Sequence, residues 1–195
     1  MTNNEKRKKQ IETLALGAVL TALVIILQFM GSFIRFGMFS VSLVLVPIVI
    51  GAAMCGIKVA AWLGFVFGAV VLLSGDAAPF MSISLYGTVI TVLAKGIGCG
   101  LAAGFVYKLL NEKSKYLAVM AASVVCPVVN TGIFLLGCAV FFLEGITPWA
   151  VAEGCKNVVE YMFLFLAGGN FIFELVTNLI LGPAVTTLLK AFKKS

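Results

Sequence analysis

The sequence predicts an all-α, polytopic membrane protein, and two bulk properties support this class. Of the 195 residues, 62% are hydrophobic and only 11% are charged, and the mean hydropathy is +1.13. Soluble domains carry about 25% charged residues. The long apolar stretches leave few residues for anything else. We therefore expect a single transmembrane domain over residues 1–195, with a short basic N-terminal segment at about residues 1–12.

Six apolar stretches predict six transmembrane helices, since about 20 apolar residues cross the hydrocarbon core of a bilayer. The predicted spans are 13–30, 39–55, 58–73, 83–107, 116–143 and 161–189. The second and third spans are short and are joined only by Cys55, Gly56 and Ile57. A single kinked hairpin is therefore the alternative for these two spans.

The distribution of basic residues predicts that both termini are cytoplasmic. Of the 14 basic residues, eleven lie in the two terminal segments and in the 55–58 and 108–115 connections. The alternate connections hold only Arg35 and Lys156, and the remaining basic residue is Lys95. Because positive charge accumulates on the cytoplasmic side, this asymmetry sets the orientation. We expect a multi-pass protein of the plasma membrane.

The composition argues against several classes of function. The net charge of +6 could indicate a nucleic-acid partner, but the basic residues cluster where orientation in a lipid bilayer would place them. The sequence has no histidine, and its five cysteines show no CxxC spacing, so we expect no metal and no cofactor. The sequence also shows no nucleophilic residue paired with a general base, and it has no phosphate-binding loop. We therefore predict that the protein is not an enzyme and has no catalytic residues.

Polar residues at membrane depth mark a candidate binding site. Lys95 lies near the middle of the fourth predicted span and Glu174 lies in the sixth. A charge at such depth costs about 2.5–3.5 kcal/mol on insertion scales, so it usually has a partner or a function. Asn170, Glu174 and Asn178 recur every four residues, which places them on one helical stripe. Asn130 adds a fourth polar group, in the fifth span.

These residues allow two interpretations. An internal Lys–Glu pair with amide hydrogen bonds could fix the register of the helices. Alternatively, spans four, five and six could enclose a polar pocket for a small water-soluble ligand, in which Lys95 would suit a ligand carboxylate. The second interpretation is favoured because the polar residues cluster on three helices, near the connections predicted to face outward.

Small residues at four-residue spacing form a second candidate surface. In the first span Ala18 and Ala22 are four residues apart, and Gly17 and Thr21 form a parallel pair. This spacing lets another helix approach closely, although internal packing is the simpler explanation for any one motif. The same spacing recurs in the third and fourth spans, at Gly64, Gly68, Gly96, Gly100 and Gly104.

The order and spacing of these motifs resemble the substrate-binding S-components of energy-coupling factor (ECF) vitamin transporters. The resemblance covers essentially the whole chain. The matching features are Ala18-x-x-x-Ala22, the segment 46–51, the glycine-rich segment 56–68, Asn130-Thr131-Gly132-Ile133-Phe134, and the Asn170, Glu174, Asn178 stripe.

The resemblance implies a mechanism and a set of partners. Ala18 and Ala22, with Ala15 as an extension, would dock on the coupling helices of a membrane T-component that joins two ATPase subunits. A vitamin-like substrate would sit in an outward pocket and the protein would topple in the bilayer to deliver it. The residues expected to bind the substrate are Lys95, Asn130, Asn170, Glu174 and Asn178.

The resemblance leaves the substrate open. The expected pocket has few aromatic residues, Tyr86, Trp149 and Tyr161 with several phenylalanines, whereas a flat flavin would favour more stacking surface. The Lys-Asn motif of riboflavin-type members is also missing from the third span. A flexible carboxylate such as pantothenate is therefore preferred, with riboflavin, folate and a pyrimidine precursor as alternatives. Outside this family, a self-sufficient secondary carrier, a small channel and a structural membrane protein remain rival interpretations.

Overall fold

The protein is all-helical apart from one short hairpin, which confirms the predicted class. The computed structural model describes residues 3–32, 35–36, 39–40 and 43–194. Strands β1 (Arg35–Phe36) and β2 (Phe39–Ser40) pair antiparallel, with Arg35 opposite Ser40. Two π-helical turns interrupt the helices, π1 at Cys138–Phe142 and π2 at Met162–Gly168. The α-helices are α1 (Asn3–Ser32), α2 (Leu45–Met54), α3 (Ile57–Leu73), α4 (Ala78–Met81), α5 (Leu85–Leu110), α6 (Lys115–Gly137), α7 (Leu143–Ala152), α8 (Val158–Tyr161) and α9 (Gly169–Lys194).

Within the described residues, four helical stretches are long and apolar enough to cross a membrane, namely 3–32, 85–110, 115–152 and 158–187. Helices α2 and α3 are apolar but have only 10 and 17 residues. At 1.5 Å per residue α2 is about 15 Å long, roughly half the thickness of the hydrocarbon core. The helix in the second predicted span begins at Leu45 rather than at residue 39. Six spans and two cytoplasmic termini therefore stay predictions.

Capping side chains fix where several helices begin. The Ser84 hydroxyl oxygen accepts a hydrogen bond from the backbone N–H of Gly87 at 3.2 Å, and this contact starts α5. Ser114 caps α6 in the same way, through the N–H of Leu117 at 3.3 Å. Each cap satisfies a backbone donor that has no partner within its helix. The start of α5 sets the register that brings Lys95 to its depth in the bundle.

Helices α3 and α5 meet backbone to backbone through their glycines. A Cβ atom added at Gly64 would collide with the carbonyl oxygen of Gly96, and one added at Gly96 would collide with that of Gly64. A Cβ at Gly100 would meet the carbonyl oxygen of Ala60 in the same way. No side chain could move aside to relieve these collisions. Internal packing is therefore the role of these glycines, as the simpler explanation of their spacing predicts.

This contact predicts that Gly96→Ala will destabilise the protein strongly. Forcing extra atoms into a packed interior typically lowers the free energy of unfolding by about 1–3 kcal/mol. Here the new methyl group of residue 96 would meet the backbone of α3, which cannot move aside as a side chain can. For a chain of this size, each kcal/mol lowers the melting temperature by about 2–4 °C. The measurement is thermal unfolding of the purified protein in detergent.

Gly132→Ala, also within a long helix, is the matched control for Gly96→Ala. A Cβ atom at Gly132 would meet nothing within 4 Å. Its melting temperature should stay unchanged or rise slightly, because alanine favours a helix over glycine by about 1 kcal/mol. Equal effects of the two substitutions would show that the contact between α3 and α5 is not the cause.

The apolar interior has two parts. The larger part joins α1, α2, α3, α5, α6 and α9, with Val24, Ile48 and Leu63 fully buried in it. We call the smaller part the second core. It joins α4 to the chain around both π-helical turns, and its buried residues are Phe80, Cys138, Phe142, Ile146, Ala150, Tyr161, Met162 and Leu166. Phe80 and Phe142 belong both to this core and to the wall of the cavity described next.

Candidate functional site

A cavity of about 70 Å³ lies among the helices, at the end of the bundle that holds the turn between α3 and α4. This end is opposite the N-terminus of α1. The wall is contributed by α1, α3, α4, α5, α6, π1, α9 and the turn. It is therefore wider than the pocket predicted between the fourth, fifth and sixth spans. Its polar lining consists of Gln28, Asp76, Thr88, Thr91, Lys95, Asn170 and Glu174.

Lys95 reaches this cavity from the middle of α5. Its ammonium nitrogen lies 5.3 Å from the ring centroid of Phe67 and 5.5 Å from that of Phe134. Both distances fall within the range of a cation–π interaction. Thr88 and Thr91 lie seven and four residues before Lys95, so all three share one face of the helix. This spacing is a sequence signal that could have identified both threonines.

Glu174 is 1% exposed and is held by two asparagine side chains. Its Oε2 accepts a hydrogen bond from Asn130 Nδ2 at 3.2 Å, and its Oε1 accepts one from Asn170 Nδ2 at 3.1 Å. The side-chain amide of Asn178 donates to the backbone carbonyl of Glu174 at 2.8 Å. The predicted stripe on the last long helix is thus one hydrogen-bonded group, and Asn130 joins it from α6.

Lys95 and Glu174 do not form the register-fixing pair that one interpretation predicted. Both residues are described, and no ion pair within 4.0 Å joins them. The Glu174 carboxylate takes its hydrogen bonds from two amides, and the Lys95 ammonium lies between two rings. The lysine therefore keeps its N–H donors free of that carboxylate.

The predicted binding residues divide between two cavities. Lys95, Asn170 and Glu174 line the main cavity. A second cavity of about 40 Å³ is lined by Lys95, Asn130 and Asn170, among others. Asn178 lines neither of them and acts on the site only through its bond to Glu174. Lys95 and Asn170 therefore line both cavities.

Gln28 and Asp76 are lining residues that the sequence did not point to. Gln28 is 2% exposed, and its Nε2 donates a hydrogen bond to Asp76 Oδ2 at 2.7 Å. The hydroxyl of Ser74 donates to the same oxygen at 3.2 Å. Gln28 is the one carboxamide in the first predicted span, and this isolated polar side chain could have identified it as a site residue. This contact ties α1 to the turn between α3 and α4.

The aromatic lining differs from the expectation. Tyr86 is 83% exposed and lies outside the cavity, while Trp149 and Tyr161 pack in or against the second core. The aromatic residues of the wall are Phe67, Phe80, Phe134 and Phe142. Of the expected aromatic residues, only phenylalanines therefore line the cavity.

The two small-residue pairs of α1 face different surroundings. Gly17 is buried against Val59 of α3, and the hydroxyl of Thr21 accepts a hydrogen bond from Trp62 Nε1 at 3.2 Å. This pair packs inside the bundle. Ala18 and Ala22 are exposed, and so is Ala15. The structure therefore leaves a face of small side chains open along α1.

These features define a multi-pass helical membrane protein that encloses a polar cavity. The chain belongs to the family of ECF transporter substrate-specific components, whose family model matches residues 12–189. The searches of curated proteins and of solved structures found no match. Membership confirms the resemblance and makes the chain a transporter subunit. Such a subunit takes a small-molecule substrate and works with a membrane-embedded ECF module.

Proposed function

We propose that this chain is the high-affinity, substrate-binding and translocating subunit of an ATP-driven uptake transporter in the plasma membrane. Its substrate is a water-soluble vitamin or a related small solute. Its partners are a membrane T-component and two ATPase subunits, within the lipid bilayer. The observation that carries this proposal is the Lys95 ammonium, which lines a cavity with six other polar residues and forms no ion pair with Glu174.

The chemistry of the lining favours a substrate with a carboxylate. An anion in contact with Lys95 would form charge-assisted hydrogen bonds, which are about twice as strong as neutral ones. Glu174 does not compete for the ammonium at contact distance, because its oxygens accept from Asn130 and Asn170. Pantothenate, a flexible carboxylate, is the preferred substrate.

A flat vitamin such as riboflavin or folate is the second candidate substrate. The specific observation in its favour is the set of four phenylalanines in the cavity wall. Aromatic rings stack on flat heterocycles in offset or edge-to-face geometry, and such contacts contribute about 0.5–1.5 kcal/mol beyond area burial. Riboflavin has no carboxylate and would use Lys95 as a hydrogen-bond donor, whereas folate would place one of its carboxylates against Lys95.

The cavity must widen to admit either candidate. Its volume of about 70 Å³ accommodates a few water molecules, whereas pockets for drug-sized ligands measure about 300–1,000 Å³. The wall includes Asp76 and Ala77 of the turn between α3 and α4, and Phe80 of the four-residue helix α4. These short elements are the part of the wall best suited to move.

The test is to measure binding and uptake separately. Purified full-length chain should bind pantothenate without ATP, and mass spectrometry of the molecules that co-purify with it would identify the natural substrate. Uptake into cells should require the T-component and both ATPases. Tighter binding of riboflavin or folate would replace the preferred substrate by the second candidate. Uptake that persists without the ATPases would identify a self-sufficient carrier instead.

A further inference from the structure

The carboxylates in the cavity wall fix the orientation of two side-chain amides. A carboxylate only accepts hydrogen bonds, so the NH₂ group of each amide must point toward it. Gln28 donates to Asp76, and Asn170 donates to Glu174. The amide oxygens, Gln28 Oε1 and Asn170 Oδ1, are consequently turned away from the acids. Both oxygens are buried and have no hydrogen-bond partner.

Two threonines of α5 add oxygens to the same wall. The hydroxyl of Thr88 donates to the carbonyl of Ser84 at 2.8 Å, so the capacity that remains at this oxygen is to accept. Thr91 Oγ1 is buried and has no partner. Both residues line the cavity, and Thr88 is only 1% exposed. The wall is therefore rich in acceptors, with Lys95 as its strong donor.

Buried oxygens without partners are costly, at about 1–3 kcal/mol each. Native structures hold few of them, and each one calls for an explanation. Three of these atoms, on Gln28, Thr91 and Asn170, belong to residues that line this one cavity. A solute that brings O–H or N–H groups into the cavity would satisfy them.

The donor and the acceptors are separated along α5. Thr88 lies seven residues before Lys95, so their Cα atoms are about 10 Å apart along the helix axis, and the Lys95 side chain leans back toward Thr88. Thr88 is held by Ser84 and Gln28 is held by Asp76, so both belong to the end of the cavity near the connections that flank α4. Gln28 and Thr88 thus lie at the end of the cavity near α4, and Thr91 lies between Thr88 and Lys95 along α5.

On the basis of the proposed function, we infer that Gln28 and Thr88 determine substrate specificity. The substrate carries an acidic group that binds Lys95, and separate O–H or N–H donors that bind Gln28 Oε1 and Thr88 Oγ1. Octanoate has the acid but no donors, and panthenol has the donors but no acid. Pantothenate has both, with its hydroxyl groups far from its carboxylate.

The experiment measures the affinity of these three probes for the purified full-length chain by calorimetry. The wild-type protein should bind pantothenate at least tenfold more tightly than octanoate or panthenol. Gln28→Met and Thr88→Val should each weaken pantothenate binding by about tenfold, the loss expected for one hydrogen bond in a buried site. Neither variant should change the affinity for octanoate.

The control for Thr88→Val is Thr186→Val. The Thr186 hydroxyl is also buried and donates to a backbone carbonyl, that of Pro183 at 2.7 Å, but Thr186 does not line the cavity. This variant should keep the wild-type affinity for pantothenate. If Gln28→Met fails to fold, the near-isosteric Thr88→Val still decides the question.

Two outcomes would overturn the inference in different ways. If neither variant changes pantothenate binding, or if octanoate binding falls in parallel, Gln28 and Thr88 do not recognise donors and the proposed function stands. If none of the three probes binds the wild-type protein, both the inference and the choice of a pantothenate-like substrate are wrong.

Discussion

Lys95→Met is expected to weaken pantothenate binding by about 10- to 100-fold, because a hydrogen bond to a charged group contributes about 1.5–3 kcal/mol. Methionine keeps an unbranched side chain that can pack between the rings of Phe67 and Phe134, so the variant removes the charge with little change in packing. Calorimetry on the purified chain would measure the loss of affinity.

The stability of the same variant should change in the opposite direction. The Lys95 ammonium lies among the helices without an ion pair to Glu174, so its removal should raise or preserve the melting temperature of the ligand-free protein. Lys58→Met, at an exposed lysine distant from the cavity, is the control and should alter neither property. A lower melting temperature with unchanged affinity would show that Lys95 only stabilises the fold.

The second prediction concerns the open face of α1. Ala18→Leu and Ala22→Leu are each expected to abolish uptake while leaving the affinity for the substrate unchanged. Both side chains are exposed. A leucine at either position would keep a partner helix farther from α1 than alanine does. Uptake into cells that carry the whole transporter, and calorimetry on the purified chain, would measure the two effects separately.

Ala184→Leu is the control for these variants, because Ala184 is an exposed alanine on α9, a different helix. It should retain uptake. A parallel loss of affinity in Ala18→Leu would show that this alanine packs inside the bundle. Normal uptake in both α1 variants would place the docking surface on another face of the protein.

Sequence reasoning identified the polar residues that stand out within a single helix, namely Lys95 on α5, Asn130 on α6 and the stripe on α9. The stripe of Asn170, Glu174 and Asn178 follows from helical periodicity, and the isolated charge of Lys95 draws attention by its cost in a membrane. The contact of Gln28 with Asp76 joins residues 48 positions apart, which no local pattern encodes. The absence of an ion pair between Lys95 and Glu174 could not be predicted for the same reason. Only tertiary packing brings the amide of Asn130 to the Glu174 carboxylate.

Helix ends were predicted less well than helix existence. The fifth predicted span ends at residue 143, where the apolar stretch gives way to Glu144 and Gly145, but the helical stretch continues to Ala152. Hydropathy reports where lipid could surround a helix, and a helix can continue beyond that limit. The second span shows the reverse error, because apolar residues before Leu45 do not extend α2.

The glycine contacts between α3 and α5 make these two helices a rigid frame, and the other walls of the cavity can move relative to it. Two backbones that touch have no intervening layer of side chains that could repack, so α3 and α5 cannot shear past each other. Lys95 belongs to this frame, whereas Gln28 and Glu174 belong to α1 and α9, which lie outside the contact. One wall of the candidate site is therefore rigid. Lys95, Thr88 and Thr91 keep their places on α5, while Gln28 and Glu174 can move toward a bound solute.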